Sequence, residues 1–206
     1  KKLLNKIHPS AIILSGGPKS VLDKKSPSLD KSIIQFQKPI LAICYGMQLV
    51  TKTLKGKVKK STFREYGHTL VDIKKKSLLF KGIKGNKLKV WMSHGDNIQK
   101  IPKKFIISSN SQNKIISSIE NKKDKIYCLQ FHPEVFHTDY GSKIIKNFVF
   151  EISKIKDKFV IDSFINDKII QLKTIIKDKK IICGLSGGVD STVTAYLLNK
   201  AVNKNL

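Results

Sequence analysis

Apolar and polar positions along the chain follow two different periods, and the change between them divides it. Residues 11–14 form a short apolar run that reads as a buried strand, ended by the turn Ser15-Gly16-Gly17-Pro18. Residues 28–37 read as a helix. A second apolar run, 39–43, leads directly into Cys44, and 45–54 reads as the next helix. Strand, turn and helix in this order predict an α/β fold. The middle of the chain then changes character. Short β-type runs at 68–73, 87–92, 105–109, 115–119 and 126–131 are separated by polar turns, and some should pair as hairpins. Ile145, Phe148, Val149 and Ile152 return to helical spacing and predict a surface helix over 142–152 that closes the domain.

The polar stretch 153–158 marks a boundary, which gives expected domains of 1–155 and 156–206. Beyond it, Ile165, Ile169, Leu172 and Ile176 make another helical stripe. Residues 180–185 read as a buried strand, 186–191 as a Gly-rich loop and 192–200 as a helix, so a second α/β unit opens here. No internal repeat is visible. The chain opens on Lys1 rather than Met and closes at Leu206 soon after the second unit begins, which reads as a piece of a longer protein.

Composition changes this picture little. The 206 residues are 40% hydrophobic, which is enough to build a core. No apolar run is long enough to span a membrane and no signal peptide is seen, so no membrane partner and a cytoplasmic location are expected. Forty Lys and Arg against fifteen Asp and Glu give a net charge of +25. Such a balance usually points to nucleic acid. Here, however, Arg64 is the only arginine, and the lysines are spread through the whole chain. Phosphate and base readout favours arginine, so the lysines read as a solvated surface and no nucleic-acid partner is expected. Cys44, Cys128 and Cys183 are odd in number and form no CxxC pair, which fits neither a disulfide framework nor a zinc site. A free thiol in a reducing compartment can act as a nucleophile.

Cys44 stands where an apolar strand meets a helix, with Ala42 two residues before it and Gly46 two after. A nucleophile on a sharp strand-to-helix turn needs small neighbours, and the helix that follows offers N–H groups and a dipole suited to an anion. Taken locally, the pattern serves a buried structural cysteine equally well. In Phe131-His132-Pro133-Glu134 a histidine follows a strand, and a carboxylate two residues on can reach back to orient it. Cysteine, histidine and carboxylate are the parts of a thiol acyl-transfer triad. Ser93-His94-Gly95-Asp96 holds a second histidine beside a glycine turn, where it reads as pocket lining rather than as a base. His8, His68 and His137 have no comparable setting. Ser186-Gly187-Gly188-Val189-Asp190-Ser191, between a strand and a helix, suits a phosphate cradled by backbone N–H groups, and it matches neither a Walker A loop nor GxGxxG.

Cys44-Tyr45-Gly46-Met47-Gln48 together with Phe131-His132-Pro133-Glu134 resembles the class I, triad-type glutamine amidotransferases, and residues 15–18 resemble their oxyanion turn. The resemblance runs to about residue 150, without the family's opening strand and helix. Ala42 stands where the family usually has glycine, a departure of one methyl group. The resemblance implies a flavodoxin-like mixed sheet with added hairpins. It also implies that Cys44 is the nucleophile, that His132 is its base and then the acid for departing ammonia, and that Glu134 orients His132. The N–H groups of Gly17 and Tyr45 would form the oxyanion hole. Gln48 and the segment from Trp91 through Ser93, His94, Gly95 and Asp96 would hold glutamine.

The string Ser186–Ser191 resembles the pyrophosphate loop of the ATP pyrophosphatases, which implies the start of a Rossmann-like domain and ATP as substrate with Mg2+. The two features in this order resemble the GMP synthetase family. That implies glutamine hydrolysis feeding the ATP-dependent amination of XMP to GMP, with AMP and pyrophosphate released, internal passage of ammonia, and a homodimer in the full-length protein. The alternatives are a stand-alone class I glutaminase, or a subunit of another amidotransferase, neither of which needs the loop.

Overall fold

The computed structural model describes residues 2–74, 77–156 and 161–206, so residues 157–158 of the predicted boundary lie outside it. Two compact units divide the chain at Ile155/Lys156.

In the first unit, α1 (Lys2–Ile7) precedes β1 (Ile12–Leu14), α2 (Lys31–Gln35), β2 (Ile40–Ile43) and α3 (Tyr45–Thr53). Five strands follow: β3 (Lys57–Ile73), β4 (Lys87–Lys100), β5 (Ile106–Ser111), β6 (Ile116–Asn121) and β7 (Ile126–Leu129). The unit closes with α4 (Gly141–Lys146), which widens into a π-helical turn over Asn147–Ile152. The strands form one mixed sheet in the order β1-β2-β7-β6-β5-β3-β4. β1, β2 and β7 are parallel, and the rest of the sheet is antiparallel.

β2 and β7 lie in the middle of the packing, and β1 is one edge of the sheet. All four residues of β2 are buried, the signature of a sheet covered on both faces. Side chains alternate across the sheet. Ile40 and Ala42 therefore join Met47 and Val50 of α3 in one core. Leu41 and Ile43 join Leu129, Phe131 and Phe148 in the other, beneath the closing helix. Asp30 caps α2 by accepting from Ser32 N–H at 2.8 Å, which sets that helix's start later than the apolar pattern suggests.

Three sequence expectations need correction, the first being the glycine turn read at Ser93–Asp96, which lies inside the continuous strand β4 with Gly95 outside the positive-φ region. Second, the runs at 68–73 and 87–92 are the inner halves of a much longer hairpin, in which β3 and β4 pair from Asp72↔Lys87 out to Lys57↔Lys100, with a register shift between Lys60 and Glu65. The outer half is polar and charged, so it has no alternating apolar signal, and ladder hydrogen bonds to the partner strand hold it. Third, residues 180–185 form no strand and are not buried: Ile182 is fully exposed and Leu185 is 63% exposed. A strand needs a neighbouring ladder, and none pairs with this segment among the described residues. Ile181 N–H donates instead to Asn205 O at 2.8 Å. The second unit is otherwise helical, with α5 (Ile161–Ile176) packed against α6 (Val189–Val202).

One glycine fixes how closely α3 approaches β1. A Cβ on Gly46 would lie 2.4 Å from Leu14 O and 2.9 Å from Leu14 Cβ. The first contact is with backbone and cannot swing away. Gly46→Ala should therefore destabilise the first unit by about 3 kcal/mol, read as a lower thermal midpoint. An unchanged midpoint would show that helix and strand can separate freely.

Candidate active site

β2 delivers Cys44 to the carboxyl edge of the parallel strands, where open α/β sheets place their ligand crevices. Cys44 caps α3 with φ 51° and ψ −106°, a conformation that L-residues rarely adopt. Its N–H donates to Leu129 O on β7 at 2.7 Å, and its carbonyl accepts from Gln48 N–H at 3.2 Å, so both ends of the turn are pinned. The side chain is 4% exposed. The Sγ contacts are Ser93 O at 3.6 Å and Gln130 Nε2 at 3.7 Å.

Two residues past Gln130, the segment that follows β7 presents His132. Its N–H donates to Trp91 O at 3.0 Å, and its carbonyl accepts from Thr138 Oγ1 at 2.6 Å, so its backbone cannot drift. Nδ1 is 2.6 Å from Glu134 Oε1, while Nε2 is buried and makes no hydrogen bond among the described residues. A Cβ on Gly16 would come within 2.9 Å of His132 Cε1 and 3.6 Å of Cys44 Cβ. The residue 15–18 turn therefore lies against both side chains, and a bare glycine is what leaves room for the ring. The Cys44 sulfur, then the Glu134 carboxylate, push the His132 pKa up to about 10, while desolvation works against them. Burial raises the Glu134 pKa, but the His132 hydrogen bond outweighs it and holds the carboxyl below its usual range.

A cleft of about 580 Å³ opens over Cys44 and His132. Gly17, Tyr45, Gln48, Ser93, His94, Gly95 and Asp96 all line it. The Gly17 and Tyr45 amides make no backbone hydrogen bond among the described residues, and Tyr45 is anchored by its hydroxyl donating to Pro27 O at 2.6 Å. Gln48 Nε2 donates to Asp96 O at 3.1 Å and to Gln130 Oε1 at 3.4 Å. Both His94 ring nitrogens are engaged, Nδ1 with Asp96 O and Nε2 with Glu65 Oε2, each at 3.2 Å. Glu65 also accepts from Ser111 and Asn113. Its burial pushes the carboxyl pKa up, but the bonds from His94, Ser111 and Asn113 prevail and the net direction is down.

Sequence reasoning passed over several of these residues. Ser20, Lys60, Arg64, Glu65, Tyr66 and Gln130 border the cleft or support its walls. Ser20 Oγ donates to Asp96 Oδ2, tying the segment after β1 to the β4 wall. Gln130 alone had a readable signal, since it lies two residues before His132 at the end of the same apolar run. Glu65 and Ser20 had none, because their partners are brought in by the hairpin register and by the loop after residue 18.

In the second unit, residues 186–191 lead into α6 without a side-chain cap. Gly188 O accepts from Ser191 Oγ at 3.0 Å and from Thr192 Oγ1 at 2.9 Å, while Ser186 Oγ and Ser191 Oγ lie 3.0 Å apart. The first-turn amides of a 14-residue helix remain available to an anion at this exposed end.

Residues 1–152 match the family described as glutamine amidotransferase class-I, and residues 160–206 match the family described as NAD synthase. The chain belongs to the class-I glutamine amidotransferases. Among curated proteins it is 49% identical over 195 residues to the glutamine-hydrolyzing GMP synthase of Petrotoga mobilis, an alignment covering 95% of this chain and 38% of that protein. It is 44% identical over 203 residues to the same enzyme of Thermosipho melanesiensis, covering 98% and 39%. The chain thus spans about two-fifths of the length of these relatives. A solved Thermoplasma acidophilum protein, described as a candidate subunit of GMP synthase, superposes with a TM-score of 0.60 at 30% identity, covering 70% of this chain and 73% of that one. A glutamine amidotransferase of Thermotoga maritima shares the fold, with a TM-score of 0.54 at 19% identity over 95% of this chain and 77% of that one.

An NMR titration should find the His132 imidazole well above 6.5, with Cys44→Ala lowering its midpoint more than Glu134→Gln does. Stability linked to this raised value is complete below 6.5 and lost as pH climbs through about 10. An ordinary midpoint that ignores both substitutions would refute the coupling. Glu65→Gln should cost about 3 kcal/mol of stability at neutral pH, because it breaks a buried pair. That cost should shrink on acidification, since a carboxylate with a lowered pKa contributes above its unfolded value of 4.5 and ceases to as pH falls through its folded one. A pH-independent difference in denaturant midpoint would contradict this.

Proposed function

We propose that Cys44, His132 and Glu134 form the catalytic triad of a glutaminase. The observation carrying this is the strained Cys44 turn standing beside a histidine whose far nitrogen is bonded to a carboxylate. Cys44 gives its proton to His132 and attacks the carboxamide carbon of glutamine. The oxyanion forms against the Gly17 and Tyr45 amides. Ammonia departs with a proton from His132, and water then cleaves the glutamyl thioester to release glutamate. Glu134 fixes the ring tautomer. Gln48, Ser93, His94, Gly95 and Asp96 hold the substrate, with His94 acting as a fixed wall because both of its nitrogens are already bonded.

The whole protein is a glutamine-hydrolysing GMP synthetase in this reading, as its curated relatives are named. Residues 156–206 are the opening of its ATP-using domain, and Ser186, Gly187, Gly188, Val189, Asp190 and Ser191 bind the pyrophosphate end of ATP. XMP is aminated to GMP with release of AMP and pyrophosphate. Among the described residues no cluster of three or more His, Cys, Asp or Glu side chains could hold a metal. Mg2+ is carried on the ATP phosphates in this reading. Among the described residues no helix is long and apolar enough to cross a membrane. The enzyme acts on small substrates in the cytoplasm in this reading. A homodimer of the full-length protein completes the proposal.

Cys44→Ala in the whole enzyme should reduce glutamine-dependent GMP synthesis at least 1000-fold while leaving the ammonia-dependent reaction near its normal rate. Equal loss of both reactions would break this division of labour.

A further inference from the structure

Gln130 is a polar side chain in an apolar place. It is fully buried, directly between Leu129 and Phe131, which are fully buried as well. A buried amide carries a desolvation cost unless its atoms are bonded, and an aliphatic residue would fit the core without that cost. Its placement comes from the sheet. The parallel register aligns Ile43 with Leu129, so the next residues, Cys44 and Gln130, stand side by side at the strand ends. The Gln130 N–H is engaged with Ser117 O at 2.9 Å, which holds the backbone independently of the side chain.

The direction of the side-chain amide is fixed by a chain of partners. Asp96 O can only accept, so the Gln48 group 3.1 Å from it is the NH2. That same Nε2 lies 3.4 Å from the Gln130 amide, whose facing atom must then be the acceptor Oε1. This turns Gln130 Nε2–H toward Cys44 Sγ, 3.7 Å away. A flipped Gln130 would set donor against donor at Gln48.

We infer that Gln130 is a further catalytic residue: its Nε2–H donates to the Cys44 sulfur and stabilises the thiolate, both when the thiol proton leaves and when the thioester expels it. This rests on the reading of Cys44 as nucleophile. The groups facing the sulfur are few. His132 comes from the same strand end, with Glu134 behind it. The β4 wall contributes the uncharged Ser93 carbonyl, and the Gly16–Gly17 turn contributes no titratable group. The Asp96 carboxylate, which also lines the cleft, accepts from Ser20 Oγ.

The test compares wild type, Gln130→Met and Gln130→Glu in the whole protein. Met fills a similar volume without a donor. Glu keeps an acceptor for Gln48 and replaces the donor with an anion. Iodoacetamide alkylation is followed by peptide mass mapping, so that Cys44 is read separately from Cys128 and Cys183, and glutamine hydrolysis is measured on the same samples. In folded variants Cys44 alkylation at neutral pH should slow and its pH midpoint should move up. The glutaminase kcat should fall about 10- to 100-fold, with a smaller change in KM. A wild-type rate and midpoint in a folded variant would overturn the inference. If Gln130→Met does not fold, the isosteric Gln130→Glu decides alone. Cys44→Ala separates the two levels. Glutamine hydrolysis surviving in it defeats the nucleophile reading itself, whereas a dead Cys44→Ala beside a wild-type-like Gln130→Glu defeats only the role of Gln130.

Discussion

The 2.7 Å hydrogen bond from Cys44 N–H to Leu129 O is the constraint on which the site depends. It joins the ends of two parallel strands at the point where one turns into a helix and the other continues toward His132. A cysteine at φ 51° is unfavourable in isolation, and it persists because the surroundings over-determine it. The bond to β7 fixes one side, the start of α3 fixes the other, and both strands are locked by cores on the two faces of the sheet. Nucleophile, base and cleft are thus consequences of sheet register before they are consequences of side-chain chemistry.

Much of this was legible in the residues. The apolar runs at β2 and β7 mark strands because burial on both faces leaves no polar positions to blur the pattern. Cys44 and His132 could be named because each follows such a run. Legibility failed where partners, not composition, make the structure. The outer halves of β3 and β4 are polar, and only their mutual ladder makes them strand. The segment 180–185 has a strand's composition without a strand's neighbour, so its apolar residues stand exposed. Glu65 stands between Arg64 and Tyr66 with no apolar pattern to mark it, yet it is 4% exposed and holds His94.

The second wall of the cleft has a further brace. The strand ends are fixed by backbone, whereas the β4 wall adds side-chain bonds to its backbone ladder with β3. Glu65 braces His94 from behind, and Ser20 reaches across to Asp96. The lysine-rich surface takes little part in this bracing, and the net charge of +25 is therefore a poor guide to the site. Its chemistry lies in a few buried or half-buried groups whose partners are all named neighbours.

The close approach of Gly16 to His132 bears on how such a site is mapped. Truncation scanning replaces a side chain with a smaller one and records what was lost, so it will report the cysteine, the histidine and the carboxylate. It has nothing to remove at Gly16 or Gly46, where adding one methyl group meets His132 Cε1 at 2.9 Å or Leu14 O at 2.4 Å. Part of what makes the pocket is therefore vacant volume, and only a survey that adds atoms one methyl at a time can draw its outline.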